Sequence, residues 1–321
     1  MSTTFIHDDP QFADLLREVA RVTQIDVALV EKDYWVTHCL WGLHRTGLAI
    51  WFKGGTSLSK GFGLIQRFSE DLDLMVEAGS VEGLPAVANW TSTNAGPLAL
   101  RRAWYAALPA AMQIPGMRVS ADATREDKQA RTADYLAMYP GHFLDQLADA
   151  VSPFVRLEVG RARVLPCVAV AISSFVHDFL SQNAQLDRFV DNRPTEVRCV
   201  HPYVTLLEKL DAVSRRYGRD EIAADTFVRH YEDAVHVIRA ASTLPPMTMS
   251  IRALASEMLT DKDIGRVPHP DEPALLLADT VKRAAVHKAW QRIGPMFWGP
   301  RIELEDACRE IRVWLVAQVQ P

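Results

Sequence analysis

Apolar residues recur at three- and four-residue intervals through residues 8–23 and 26–46, in the second stretch at Val27, Leu29, Val30, Tyr34, Val36 and Leu40. That spacing predicts an opening pair of helices, the second closed by Gly47. The next run, Leu48 to Phe52, is short, apolar and soon followed by Gly54 and Gly55, the pattern of a buried strand entering a turn. Residues 56–62 then read as a short helix, and Asp71 to Val76 alternates polar and apolar in the manner of a strand with one packed face. Residues 117–121 and 154–159 (FVRLEV) predict further strands, and the Ala/Leu-rich 97–113 a helix.

From His201 the texture changes. Residues 203–217, 225–241, 249–258, 273–292 and 303–319 carry helical periodicity, punctuated by prolines at 245–246 and within 268–273. A boundary is therefore placed near residue 200, giving a mixed α/β domain over 1–200 and a helical domain over 201–321. No internal repeat or low-complexity tract interrupts this division.

Composition narrows the class without choosing a function. With 321 residues, 48% hydrophobic and 23% charged, the chain is expected to be soluble and folded, in two domains. A formal net charge of -5 argues against indiscriminate nucleic-acid binding while leaving room for a local basic groove. Cys39, Cys167, Cys199 and Cys308 are far apart and show no C-x-x-C spacing, so they are read as reduced, with no zinc site. The ten histidines offer no H-E-x-x-H, and G-F-G at 61–63 lacks the rest of a dinucleotide fingerprint. The N-terminal stretch has no basic segment followed by an apolar run, and no apolar stretch is long enough to span a bilayer. A cytoplasmic protein without membrane contact is expected.

Residues 52–74 concentrate the chemistry. Carboxylates at i and i+2 of a strand share a face, so Asp71 and Asp73 project together with Leu72 and Leu74 packed behind. Such a pair repels itself unless a divalent cation lies between the carboxylates, and oxygen ligands in this number suit Mg²⁺ shared with substrate phosphates. Two solvated acids on an exposed strand face is the plainer alternative. Gly54 and Gly55 let the backbone approach an anion closely, and the N–H groups of Thr56 and Ser57 can hold a phosphate at a helix start. Lys60 can add a point charge to it, while Arg67 and Ser69 bring a guanidinium and a hydroxyl to the acidic strand.

The segments G-G-T-x-x-x-K at 54–60 and R-F-S-x-D-x-D-L at 67–74 resemble the AbiEii nucleotidyltransferase family. These are toxins of type IV toxin–antitoxin and abortive-infection systems, within the DNA-polymerase-β-like nucleotidyltransferase superfamily. E-K-D-Y-W at 31–35, R-L-E-V-G-R-A-R at 156–163, L-E-K-L-D-A at 207–212 and R-H-Y-E-D at 229–233 are similar to further family motifs. The resemblance covers 31–233 and implies a polymerase-β-like core of small mixed sheet and N-terminal helices, with the helical C-terminal domain completing an active-site cleft.

It further implies that Asp71 and Asp73 hold Mg²⁺, with Mn²⁺ as an alternative, bridging an NTP whose phosphates sit on Gly54, Gly55, Thr56, Ser57, Lys60 and Ser69. Lys209 is expected on the β- or γ-phosphate, and Asp233 orienting Lys209 or holding the nucleotide. A helix-surface lysine, and an Asp233 paired with Arg229, are the plainer readings. Glu158 is the candidate third carboxylate, as metal ligand or as base, unless it is a strand residue paired with Arg156 or Arg161.

An RNA acceptor, a tRNA 3′ end, follows for some family members, and a cognate antitoxin is a partner the family suggests. Arg101, Arg102, Arg125, Lys128 and Arg131, or Arg215, Arg216 and Arg219, can form the basic groove that RNA needs. Trp290 and Trp298, near Arg292 and Arg301, can stack on nucleic acid. Nucleotidylation of a protein or small molecule, phosphoryl transfer through Ser69, and a decayed binding module are the competing readings.

Overall fold

The computed structural model describes residues 4–67, 69, 71–79, 83–147, 151–294, 297 and 299–320. The chain divides into two compact units: Met1–Gly61 with Ser69–Arg161 and Ala169–Cys199, and Phe62–Phe68 with Ala162–Val168 and Val200–Pro321.

In the first unit, helices α1 (Phe12–Thr23) and α2 (Val27–Arg45) form where the apolar spacing predicts them. Asp26 caps α2 by accepting the Ala28 N–H at 2.9 Å. Tyr34, Trp35, Cys39 and Leu40 of α2 are fully buried. Strand β1 (Ile50–Lys53) leads into a helical turn, α3 (Gly54–Thr56), which continues as a π turn over Ser57–Gly61. Strand β2 (Asp71–Val76), helix α4 (Ala95–Ala111) and strands β3 (Arg118–Ala121), β4 (Thr132–Met138), β5 (Val155–Gly160) and β6 (Cys167–Val170) follow. Helix α5 (Phe175–Gln182) and strand β7 (Val197–Val200) complete the set.

The sheet is mixed, in the order β3-β4-β5-β2-β1-β7-β6. β1 runs antiparallel to β2 and parallel to β7, β2 parallel to β5, and β4 antiparallel to both β3 and β5. Alternation sets its two faces. Phe52, Leu72, Leu74, Tyr135, Leu157 and Val159 are buried on one, and Lys53, Asp71, Asp73, Asp134, Arg156 and Glu158 stand between them on the other.

The second unit holds α6 (Pro202–Tyr217), α7 (Arg229–Arg239), α8 (Ile251–Thr260), α9 (Pro273–Leu276), α10 (Thr280–Arg292) and α11 (Leu304–Gln318). The sequence reads 273–292 as one helix, but the chain breaks at Leu277, where φ is +50°. Asp279 restarts it, accepting the N–H groups of Val281 and Lys282 at 3.0 Å each. Helix α7 begins at Arg229 rather than 225, after a separate 3-10 turn over Ala224–Thr226. Among the described residues no helix is long and apolar enough to cross a membrane.

Candidate active site

The glycine turn is built around Asp73. Gly54 follows the last residue of β1 with φ +76°, and a Cβ there would lie 1.7 Å from Asp73 Oδ2. Only glycine combines that backbone with that approach. Cross-strand pairing explains the contact, because Lys53 and Asp73 are register partners on β1 and β2. Gly55 and Thr56 are buried. The Thr56 hydroxyl donates to the Asp71 carbonyl at 2.6 Å, so its 2.8 Å contact with Ser69 is one in which the Ser69 hydroxyl donates to Thr56. The turn is thereby tied to the start of the acidic strand through Thr56 and Ser69.

Two members of the expected phosphate set are placed otherwise. Lys60 is committed to Asp33 of α2 in a shielded ion pair, and the second Asp33 oxygen accepts the Phe175 N–H at 3.0 Å. This lysine therefore joins the turn to α2 and α5 instead of offering a loose charge. The Ser57 hydroxyl is buried with no hydrogen-bond partner, so only the backbone of Ser57 is available to an anion.

Register brings the acids together in rows. Lys53, Asp73, Glu158 and Asp134 are successive cross-strand partners on β1, β2, β5 and β4, and Asp71 pairs with Arg156 in the adjoining row. Glu158 is held above the usual carboxylate range by burial, then by the charges of Asp134 and Asp71. Asp134 is raised as well, by burial first and by Asp122 and Asp71 against the opposing pull of Arg125 and Arg156. Arg156 bonds Asp122 at 2.6 Å and approaches Asp71 at 3.7 Å. It is therefore not the partner that the sequence offers Glu158. Arg161 lies over the Trp90 ring, 5.5 Å from its centroid.

Asp134 escapes the sequence reading because β4 does. T-A-D-Y-L-A-M alternates correctly, but its alanines dilute the apolar signal, and only the pairing to β5 identifies it.

In the second unit α6 and α7 bring Lys209, His230 and Asp233 together with Arg67. Asp233 is fully buried and receives Arg67 through Nε and Nη2 at 2.8 Å each, and Lys209 Nζ at 2.8 Å. Burial works to raise its pKa, yet Arg67 and Lys209 outweigh that and hold it far below the ordinary value. Burial lowers the pKa of Lys209 against the opposing attraction of Asp233. His230, neutral through burial and the nearby lysine, lies 3.4 Å from Lys209 Nζ. Arg67 thus belongs with Asp233 rather than with the acidic strand, and Arg229 is not the hydrogen-bonded partner of Asp233. Asp233 has no solvent access, and its carboxylate anchors the Lys209 ammonium.

Other candidates separate into exposed and structural. Arg101 is buried, donating to the carbonyls of Asn89, Ser92, Gln129 and Ala130. Arg102, Arg125, Lys128 and Arg131 are exposed. Arg215 is paired with Asp211 at 2.6 Å and Arg216 donates to the Thr226 carbonyl. Trp290 is only 7% exposed beneath the Arg301 guanidinium, 5.0 Å from its ring centroid, so it packs instead of presenting a stacking face. Trp298 lies outside the described residues.

Among the described residues no three His, Cys, Asp or Glu side chains are grouped to hold a metal ion by themselves. Mg²⁺ bound through one or two carboxylates and substrate phosphates does not require such a cage. The same-face pair Asp71 and Asp73, with Asp73 against bare Gly54 and Glu158 in register, fits that mode.

A family model described as nucleotidyl transferase AbiEii toxin, type IV toxin–antitoxin system, matches residues 43–307. Among solved structures, MenT4, a nucleotidyltransferase toxin from Mycobacterium tuberculosis H37Rv, is 18% identical, with 92% of this chain and 98% of that chain covered at a TM-score of 0.38. No curated protein sequence matches significantly.

Proposed function

The chain belongs to the AbiEii family of nucleotidyltransferase toxins, and on that premise we propose that it transfers a nucleoside monophosphate from an NTP to an RNA acceptor, a tRNA 3′ end, with Mg²⁺. The observation that carries this reading is the contact of Asp73 with Gly54, which joins the glycine turn to an acidic row.

Each residue has a definable task. The N–H groups following Gly54 and Gly55 seat the triphosphate, and the Thr56–Ser69 hydroxyl pair fixes the turn against β2. Asp71 and Asp73, with Glu158 in register, would hold the metal, or Mn²⁺ in its place. When bound, it neutralises the phosphates and withdraws charge from the leaving pyrophosphate. Glu158, whose burial keeps it more basic than an ordinary carboxylate, accepts the proton of the acceptor hydroxyl. Lys209, held in place by Asp233, meets the charge that accumulates on the β- and γ-phosphates.

Support for RNA comes from Arg102, Arg125, Lys128 and Arg131, an exposed basic group on an otherwise acidic chain. The test is incubation with each α-labelled NTP, Mg²⁺ and total RNA, with Asp71→Ala as control. Label in RNA that vanishes with Asp71→Ala supports the reading. Label in protein moves the acceptor to a polypeptide, and label in no acceptor with any NTP overturns it.

A further inference from the structure

The cations that the sequence offers to the glycine turn are engaged elsewhere. Lys60 is held by Asp33, and Arg67 by Asp233. Arg156, on the acidic face of the sheet, bonds Asp122 at 2.6 Å. A residue that the sequence reading passed over stands at the junction instead. Lys53 is the last residue of β1, directly before Gly54, with extended backbone at φ -139° and ψ -167°. Its neighbour Phe52 is fully buried on the opposite face, so alternation turns the half-buried Lys53 toward the acids.

Register places it among them. Lys53 pairs across β1 and β2 with Asp73, and Asp73 in turn with Glu158 on β5. Electrostatics agree: burial, Asp134 and Asp71 raise the pKa of Glu158, and the Lys53 ammonium opposes them. The turn meets the same strand, through Gly54 against Asp73 and through the Thr56 hydroxyl on the Asp71 carbonyl at 2.6 Å. A triphosphate seated on the N–H groups of the turn, with its α-phosphate toward Asp71 and Asp73, therefore runs past the Lys53 side chain.

An ammonium at this place serves in two ways. It offsets part of the repulsion in a row of carboxylates, and as a compact point charge on a flexible stem it can turn to an incoming phosphate oxygen. During transfer the acceptor oxygen bonds to the α-phosphorus and the bond to the pyrophosphate oxygen breaks. Its electron pair leaves on pyrophosphate, and the acceptor proton passes to Glu158. Charge on the non-bridging α-phosphate oxygens persists through that exchange, and a cation aimed at them lowers the barrier.

Resting on the nucleotidyl-transfer reading, we propose that Lys53 is a catalytic residue whose ammonium contacts a non-bridging oxygen of the α-phosphate. Mn²⁺ alone, and inorganic tripolyphosphate at saturating Mg²⁺, are titrated calorimetrically into the wild-type chain, Lys53→Met and Lys53→Arg. The wild type binds both. Lys53→Met binds Mn²⁺ at least about three-fold more tightly, because a positive charge has left the acids, and tripolyphosphate about ten-fold more weakly. Lys53→Arg keeps the charge and stays within about three-fold of the wild type for both. In the transfer assay kcat falls about 100-fold for Lys53→Met. The opposite shifts are the signature, since a lysine that only supports the fold would weaken both ligands together. Absence of tripolyphosphate binding to the wild type, unchanged tripolyphosphate binding in Lys53→Met, or loss of both ligands there overturns the proposal. If no acceptor takes label from any NTP yet the opposite shifts are found, Lys53 stands as a phosphate-binding residue and the transfer reading falls. If the wild type and Lys53→Met label RNA at equal rates, the reverse holds.

Discussion

The Asp73 carboxylate occupies the space in which any side chain at position 54 would begin, since a Cβ on Gly54 falls 1.7 Å from Asp73 Oδ2. Gly54→Ala must therefore displace Asp73 and also hold alanine at φ +76°. The backbone term costs about 1–3 kcal/mol. Losing the carboxylate position lowers kcat/KM by about 100-fold or more. Thermal melts and transfer assays separate these effects from Asp73→Asn, expected to lose comparable activity while keeping its melting temperature. A Gly54→Ala protein with normal transfer would remove Asp73 from the site.

Thr56 makes a second link between turn and strand. Thr56→Val removes the hydroxyl that the part-buried Asp71 carbonyl and the Ser69 hydroxyl both bond, at about 1–3 kcal/mol. Thr56→Ser keeps the hydroxyl and is expected to melt close to the wild type. Equal melting of the two variants would show that the hydrogen bonds are unimportant to the turn.

How much of this was legible depended on the range of the interaction. Strands β1, β2, β3 and β5 and both opening helices follow from local apolar patterning, and Asp71 with Asp73 from period two alone. Residues whose roles are set by distant partners were not legible. Lys60 looks like a phosphate ligand until Asp33 is beside it, and Arg67 like part of the acidic strand until Asp233 receives it across 166 residues. Asp134 required the register of β4 on β5. Arg101 and Trp290 read as surface groups because burial is not a local property.

Arg67 and Lys209 share Asp233 but are expected to fail differently. Lys209→Met leaves Asp233 bound by both Arg67 nitrogens, so stability changes little, while transfer falls by about 100- to 1000-fold. Arg67→Met removes the bidentate partner of a fully buried carboxylate and costs about 3–5 kcal/mol. Denaturant unfolding together with transfer rates tests the contrast. If Lys209→Met unfolds as readily as Arg67→Met, the lysine is structural.

Acid stability reports on the same carboxylate. The charges of Arg67 and Lys209 hold Asp233 far below the ordinary carboxylate range, so its contribution is fully present above the unfolded pKa of about 4 and is lost as pH falls toward its folded pKa. Unfolding free energy should drop steeply below about pH 4 in the wild type. Asp233→Asn, already weakened at neutral pH, should show a shallower decline over the same range. Parallel pH profiles for the two proteins would assign the acid sensitivity to other groups.

The acidic row gives the opposite sign. Glu158 binds its proton more tightly when folded, because of burial and the neighbouring Asp134 and Asp71, so its stabilising protonation is lost as pH rises through the raised pKa. At neutral pH without divalent cation, Glu158→Gln removes one charge from that row and is expected to raise the melting temperature by about 2 °C. Addition of Mg²⁺ with a non-hydrolysable NTP should stabilise the wild type more than Glu158→Gln, because the ligand set binding the folded state is stronger there. The two proteins are compared by thermal melts at fixed ionic strength, which removes general screening as an explanation. A variant that melts below the wild type without metal would contradict the repulsion. An unchanged Mg²⁺ increment would take Glu158 out of the metal-binding set, leaving Asp71 and Asp73.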